Sequence, residues 1–117
     1  MTDLQSCNHS YWYYAEYSTF RVLSEADNYT LQVDGFSGNA GYDALRGFHN
    51  GQQFTTIDRD HDPVPSHNCA AWRGGGFWWG VCGGCSVNGA RSTGDFYWWG
   101  LPGGGDLQLS LMWLQCK

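Results

Sequence analysis

The stretch Phe54-Thr55-Thr56-Ile57-Asp58-Arg59-Asp60-His61-Asp62-Pro63-Val64-Pro65-Ser66-His67-Asn68-Cys69, with Phe77-Trp78-Trp79-Gly80-Val81-Cys82-Gly83-Gly84-Cys85 behind it, decides how this chain is read. Asp58, Asp60 and Asp62 alternate, so they cannot share one side of a helix. In an extended or looping backbone they converge, and their mutual repulsion then favours a hard cation such as calcium over bare charge. The bland alternative is a solvated acidic turn. An EF-hand is excluded, because Pro63 stands where that loop needs Gly and Cys69 where it needs Glu. His67 and Cys69, followed by Cys82 and Cys85, have the order of a zinc site. As a redox dithiol, Cys82 and Cys85 lack a βαβ setting and a helix to lower a thiol pKa. A disulfide between Cys69 and Cys82 would close a loop worth about 3 kcal/mol. Spacing alone does not separate the zinc reading from the disulfide reading.

Outward from this stretch the chain divides by composition. All 17 glycines fall at residue 35 or later. Tyr11 to Val22 is dense in Tyr, Trp, Phe, Thr and Val, and Tyr29 to Asp34 alternates with Tyr29, Leu31 and Val33 on one face. Both read as strands, and Ser24-Glu25-Ala26-Asp27-Asn28 supplies the turn of a hairpin. A closing strand sets Leu107, Leu109, Leu111 and Trp113 on one face, with Met112 and Leu114 on the other, which predicts burial on both sides inside a sheet. Between Gly35 and Gly105 no apolar period lasts. A loop region of that length needs tethers, metal or disulfide, and its aromatic content is too high for disorder.

The whole chain has 117 residues, enough for one core and one domain, with 17% aromatic residues. Six Lys and Arg stand against 11 Asp and Glu, for a net charge of -5. That gives no cationic field for a phosphate backbone, which argues against nucleic-acid binding. The glycine and aromatic content excludes a helical bundle or coiled coil, and no apolar run is long enough for membrane insertion. The start lacks a signal peptide's basic end and apolar run, whereas five cysteines and the sequons Asn8-His9-Ser10 and Asn28-Tyr29-Thr30 suit a secreted glycoprotein. Catalysis has no positive feature: His9, His49, His61 and His67 have no nucleophile elbow nearby. The glycine runs Gly74 to Gly76 and Gly103 to Gly105 lack the Lys and helix of a phosphate loop. The pairs Trp78-Trp79 and Trp98-Trp99 suit core packing better than stacking on a sugar or a quaternary amine.

The ordered motifs Gly38-Asn39-Ala40-Gly41, Asp43-Ala44-Leu45, His49-Asn50-Gly51, Phe54-Thr55-Thr56, Asp58 to Asp62, Asn68-Cys69-Ala70, Phe77-Trp78-Trp79, Cys82 and Asn88-Gly89 closely resemble the second half of the fibrinogen-related C-terminal domain. Ficolins, tachylectins, tenascins and angiopoietins carry this domain. Tyr14 to Val22 and Tyr29 to Val33 look like the two strands that precede the run, and Leu107 to Leu114 like its closing strand, so the resemblance spans about residues 13–115. It implies an α+β, loop-rich fold with a small antiparallel sheet and a calcium- and disulfide-tethered loop region.

The resemblance also implies site residues. Calcium would be held by the carboxylates of Asp60 and Asp62 and by carbonyls of Val64 and of Ser66 or His67. Cys69 and Cys82 would form the family's disulfide, and the Val81–Cys82 peptide bond would be cis beside a ligand pocket. In ficolins and tachylectins that pocket recognises acetyl groups. Here Gly83 replaces a His, Arg73 stands where an aromatic wall would be, Ala90-Arg91 replaces Arg-Tyr, and Tyr97 aligns with a family Trp. The candidate ligand residues are Arg73, Val81, Cys82, Gly83, Arg91 and Tyr97. Cys7, Cys85 and Cys116 have no family counterpart. The resemblance further implies that residues 1–117 are a partial domain beginning inside the family unit, which would leave Tyr11 to Val22 as an exposed sheet edge. The function implied is noncatalytic, calcium-dependent binding of extracellular carbohydrate or protein ligands, as in innate recognition, by a secreted protein for which the family allows oligomers. The alternatives are an intracellular zinc module built on His67, Cys69, Cys82 and Cys85, and a fragment with no independent function.

Overall fold

The computed structural model describes residues 2–6, 11–89 and 94–116. Its frame is a four-stranded sheet of β1 (Thr2–Ser6), β2 (Trp12–Val22), β3 (Leu31–Gly38) and, after the short pair β4 (Cys85–Ser86) and β5 (Tyr97–Trp98), β6 (Leu107–Met112). The strand order is β3-β2-β1-β6, with every neighbour antiparallel.

The predicted hairpin is present: β2 and β3 pair with Tyr17 opposite Phe36, Phe20 opposite Val33 and Val22 opposite Leu31. Its connection is a 3-10 turn at Glu25–Asp27, followed by Asn28 and Tyr29 at φ of 50 and 58. Asn tolerates that left-handed region and Tyr does not favour it. The turn is closed by Thr30, whose hydroxyl donates to the Asp27 carbonyl at 2.7 Å. Halfway along the hairpin Gly35 sits at φ 74, and any Cβ there would run into the Ser18 hydroxyl. The strands approach there only because residue 35 has no side chain.

Two expectations fail at the sheet edges. Tyr11 to Val22 is not an edge, because β2 lies between β3 and β1. The strand that covers it, Thr2–Ser6, has one apolar residue directed into the core, Leu4, and too few positions to display a period. It is a strand because it pairs on both sides, with β2 and with β6. Conversely, β6 is not buried on both sides. It is the outer strand, with Leu107 in the core but Leu109 52% and Leu111 56% exposed. Apolarity on both faces gave the right secondary structure and the wrong position.

The middle of the chain is irregular, as expected, but carries short elements. β3 continues to Gly38, and two helices follow, α1 (Ala44–His49) and α2 (Cys69–Arg73). Neither is long enough to repeat a 3.6-residue period, which is why periodicity does not show them. Their caps do: Asp43 accepts from the Arg46 N–H and Asn68 from the Ala71 N–H, and Gly74 closes α2 at φ 84. The core joins Leu4, Ala15, Leu31 and Val33 of the sheet to Leu45, Phe77, Trp79 and Trp98 of the loop region. Trp79 and Trp98 are therefore packing residues, while Trp99 is exposed. Tyr17 ties the layers together, since its hydroxyl donates to Asp43 at 2.7 Å; burial and that carboxylate push the phenol pKa up. A cleft of about 770 Å³, lined in part by Tyr17, Phe20, Leu45, Trp78 and Met112, includes no residue of the acidic loop.

Candidate functional site

The acidic loop is organised by its own carboxylates. Asp58 accepts from the Thr56 hydroxyl at 2.7 Å, and this bond is the main cause holding its carboxyl below the usual range. Asp60 accepts from the Asp62 N–H at 3.2 Å. Asp62 accepts twice, from the Val64 N–H at 2.9 Å and from the Cys69 N–H at 2.8 Å. Its side chain thus spans the loop and fixes the entry to α2. Asn68 closes the other side, donating to the Thr56 and Ile57 carbonyls while capping α2. His61 is a structural residue here: its N–H reaches the Thr55 hydroxyl and its ring Nδ1 lies 3.1 Å from the Phe54 carbonyl.

Among the described residues, no three His, Cys, Asp or Glu side chains converge on a point. A calcium set of two carboxylates and several carbonyls needs no such trio. A carboxylate offers about four lone-pair sites, so Asp60 and Asp62 retain acceptor capacity after these bonds. Carboxylate and carbonyl oxygens are hard donors, the donor chemistry that calcium takes.

Cys69 and Cys82 are joined as a disulfide, and Cys85 and Cys116 are free thiols. This pairing takes two thiolates out of the zinc set His67, Cys69, Cys82 and Cys85. What remains is His67 Nε2, 3.8 Å from the Cys82 sulfur, and a Cys85 that is buried in the core, where burial pushes its thiol pKa well up. The expected cis bond at Val81–Cys82 is absent: no described peptide bond is cis. The chain turns there by another route, with Cys82 at φ 63 and Gly84 at φ 98. A non-glycine residue in that region costs on the order of 1 kcal/mol and survives where its surroundings fix it, here through the disulfide and the packed Cys82 side chain.

The candidate ligand residues partly converge. Arg73 Nε donates to the Cys82 carbonyl at 2.7 Å, and its Nη1 pairs with Asp95 at 2.9 Å. The same guanidinium lies 4.6 Å from the Trp72 ring centroid and 5.4 Å from that of Tyr97. Arg73, Cys82 and Tyr97 are thus one cluster, with Gly83 half-buried beside it and Val81 75% exposed. Arg91 lies outside the described residues. Asp95 and Trp72 were not singled out in the sequence, where nothing marks Asp95 as the partner of a residue 22 positions away.

His49 was also missed as a contributor to the site. It is fully buried, its Nδ1 2.8 Å from the Trp78 carbonyl and its Nε2 3.0 Å from the Cys85 N–H. The second contact makes Nε2 the acceptor and places the proton on Nδ1. Burial pushes its pKa down to about 4, so the ring is neutral, and it anchors the Cys82 to Cys85 turn from below.

The family model for the C-terminal globular domain of fibrinogen beta and gamma chains matches residues 1–115. The chain belongs to this family. The match reaches residue 1, so the fibrinogen-like resemblance begins before Tyr13 and takes in β1. The fibrinogen-like chain is 48% identical over 69 residues to mouse angiopoietin-related protein 2, covering 59% of itself and 13% of that protein. It is 42% identical over 110 residues to the human fibrinogen alpha chain, covering 86% of itself and 12% of that protein. Among solved structures, the fibrinogen-like globe domain of human ANGPTL2 superposes with a TM-score of 0.80 at 34% identity, over 93% of this chain and 53% of that one. Lamprey fibrin D-dimer, complexed with the peptide ligand Gly-His-Arg-Pro-amide, gives a TM-score of 0.66 at 27% identity, over 85% of this chain and 32% of that one. The fibrinogen-like chain therefore spans about half of the solved globe domain and a small part of the curated relatives.

Proposed function

We propose that this chain is a noncatalytic, extracellular recognition module in which calcium steadies the acidic loop and a ligand docks around Cys82, Arg73 and Tyr97. Asp60 and Asp62 would hold the ion with carbonyls of Val64 and of Ser66 or His67. The ion would neutralise the loop's facing carboxylates. The observation that carries the reading is the dual role of Asp62: the carboxylate assigned to calcium also fixes the Cys69 N–H. Cys69 is bonded to Cys82, whose carbonyl holds Arg73. Ion and ligand face are thereby linked through one short chain of contacts. A core disulfide suits an oxidising, extracellular compartment.

The ligand class follows from what lines the cluster. Arg73 fills the place of an aromatic wall and is itself neutralised by Asp95, so the face offers two rings and a paired charge. That chemistry suits a protein or peptide ligand better than an acetylated sugar. The peptide complex of the related lamprey fibrin accords with it. Isothermal titration of calcium into the intact chain and into Asp60→Ala tests the assignment: binding is expected in the first and abolished in the second. Equal binding in both overturns it.

A further inference from the structure

The sequon Asn28-Tyr29-Thr30 falls on the connection of the β2–β3 hairpin, and its middle residue is not Pro, so it meets the N-glycosylation pattern. The sequon at Asn8 lies outside the described residues. Around Asn28 the backbone is pinned. The Asn28 N–H donates to the Glu25 carbonyl, the Phe54 N–H donates to the Asn28 carbonyl, and Trp78 Nε1 donates to the Tyr29 carbonyl. Two successive non-glycine residues are thereby held at positive φ, a strain that points to function where it persists. The side-chain amide stays at the surface: Asn28 Nδ2 donates one hydrogen to Gln53 Oε1 at 3.2 Å and carries a second.

Beside that amide is a pocket of about 100 Å³, lined in part by Asn28 itself, Tyr29, Phe54, Thr56, Arg59 and His61. It falls well below the roughly 300 Å³ of a small-molecule site, so it holds one substituent of a ring and leaves the ring across its mouth. Phe54 and Tyr29 supply apolar ring faces, while Thr56, Arg59 and His61 supply hydrogen-bonding groups. A sugar, with C–H faces and hydroxyl edges, needs that mixture. A free sugar would have to find so small a seat, whereas one bonded to Asn28 is already beside it at high effective concentration.

We propose that Asn28 is an N-glycosylation site and that its first sugar, an N-acetylglucosamine, seats in this pocket. In the transfer the bond from Nδ2 to the sugar C1 forms and the bond from C1 to the pyrophosphate of a lipid-linked oligosaccharide breaks. The second amide hydrogen leaves as a proton to the departing pyrophosphate, and the hydrogen bond to Gln53 survives.

The inference rests on the extracellular reading, so entry into the secretory pathway is enforced in its test: the full chain is expressed in animal cells behind a cleavable signal peptide. Trypsin separates the two sequons, since Asn28 lies between Arg21 and Arg46 with no Lys or Arg between them. Mass spectrometry of that peptide is expected to show a glycan that peptide N-glycosidase removes, leaving Asp at position 28; an unmodified Asn28 overturns the proposal. The bond state of Cys69 and Cys82, read on the same sample, reports on the extracellular reading separately. For the seat, the glycan is trimmed to one N-acetylglucosamine and thermal unfolding is compared with Asn28→Asp, which keeps the residue's size and its tolerance of positive φ. The sugar-bearing chain is expected to have the higher Tm, and the gap is expected to narrow in Arg59→Ala, a change at an exposed residue. Equal Tm values, or a gap that Arg59→Ala leaves unchanged, overturn the seat.

Discussion

His49 Nε2 accepts the Cys85 N–H at 3.0 Å, inside a cage formed by Phe77 and Trp79, whose ring centroids lie 4.9 and 5.8 Å away. One neutral imidazole thus joins the end of α1 to the turn that follows the disulfide, and its other nitrogen is satisfied by the Trp78 carbonyl. A buried polar group satisfied on both sides rigidifies its surroundings, and protonation would remove the acceptor that the Cys85 N–H needs.

A pH dependence follows. An unfolded imidazole titrates near 6.5 and this one near 4, so across that interval the unfolded state binds more protons. The His49 contribution is complete above pH 6.5 and is lost as pH falls towards 4, by up to about 3 kcal/mol. Urea midpoints measured from pH 7 to pH 4 are expected to fall more steeply for wild type than for His49→Gln. Equal slopes contradict the buried neutral imidazole.

Asp62 and Asp58 are expected to behave differently despite their similar sequence setting. Asp62→Ala strips acceptors from the Val64 and Cys69 N–H groups and is expected to cost about 1–3 kcal/mol in urea unfolding without calcium. Asp58→Ala removes an exposed carboxylate that accepts from the neighbouring Thr56 hydroxyl, and its urea midpoint is expected to match that of wild type.

Arg73 is expected to resist conservative replacement. Its planar fork serves the Cys82 carbonyl and Asp95 together while lying between the Trp72 and Tyr97 rings, a geometry the single ammonium of Lys does not reproduce. Arg73→Lys is expected to lose about 1–2 kcal/mol of stability, because the half-buried pair is then imperfectly made. A thermal melt matching wild type would show that the cluster carries no stability.

Removing the Cys69–Cys82 bridge tests the tether. Cys69→Ala/Cys82→Ala is expected to cost about 3 kcal/mol through restored freedom of the unfolded chain. Its urea midpoint against that of the wild type gives the difference.

Much of the architecture was legible in the residues, and the failures have physical causes. The β2–β3 hairpin showed because its alternating faces run long enough to repeat. The disulfide was legible only by resemblance, since the spacing of Cys69 and Cys82 serves zinc as well. β1 was illegible because a five-residue strand with one core side chain owes its state to pairing partners. The edge position of β6 could not be read from apolarity, which measures what a side chain prefers and not what the fold provides beside it. The turn at Cys82 takes a positive φ where a cis bond was implied, and Gly84 follows at φ 98, a pairing that leaves no periodic trace in the residues. At the site, the loop carboxylates were legible as a pattern. Their links to Cys69 and Arg73 were not, because hydrogen bonds between loops leave no periodic trace.

The central claim is that calcium tethers the acidic loop, and thermal unfolding of the intact chain with calcium and with chelator tests it most directly. Binding to the native state alone raises stability by about 2.7 kcal/mol at a ligand concentration one hundred times Kd. The expected result is a Tm that rises with calcium in the wild type, stays fixed with magnesium, and does not respond to calcium in Asp60→Ala. A wild-type Tm indifferent to calcium, or an Asp60→Ala Tm that rises as much, would contradict the account.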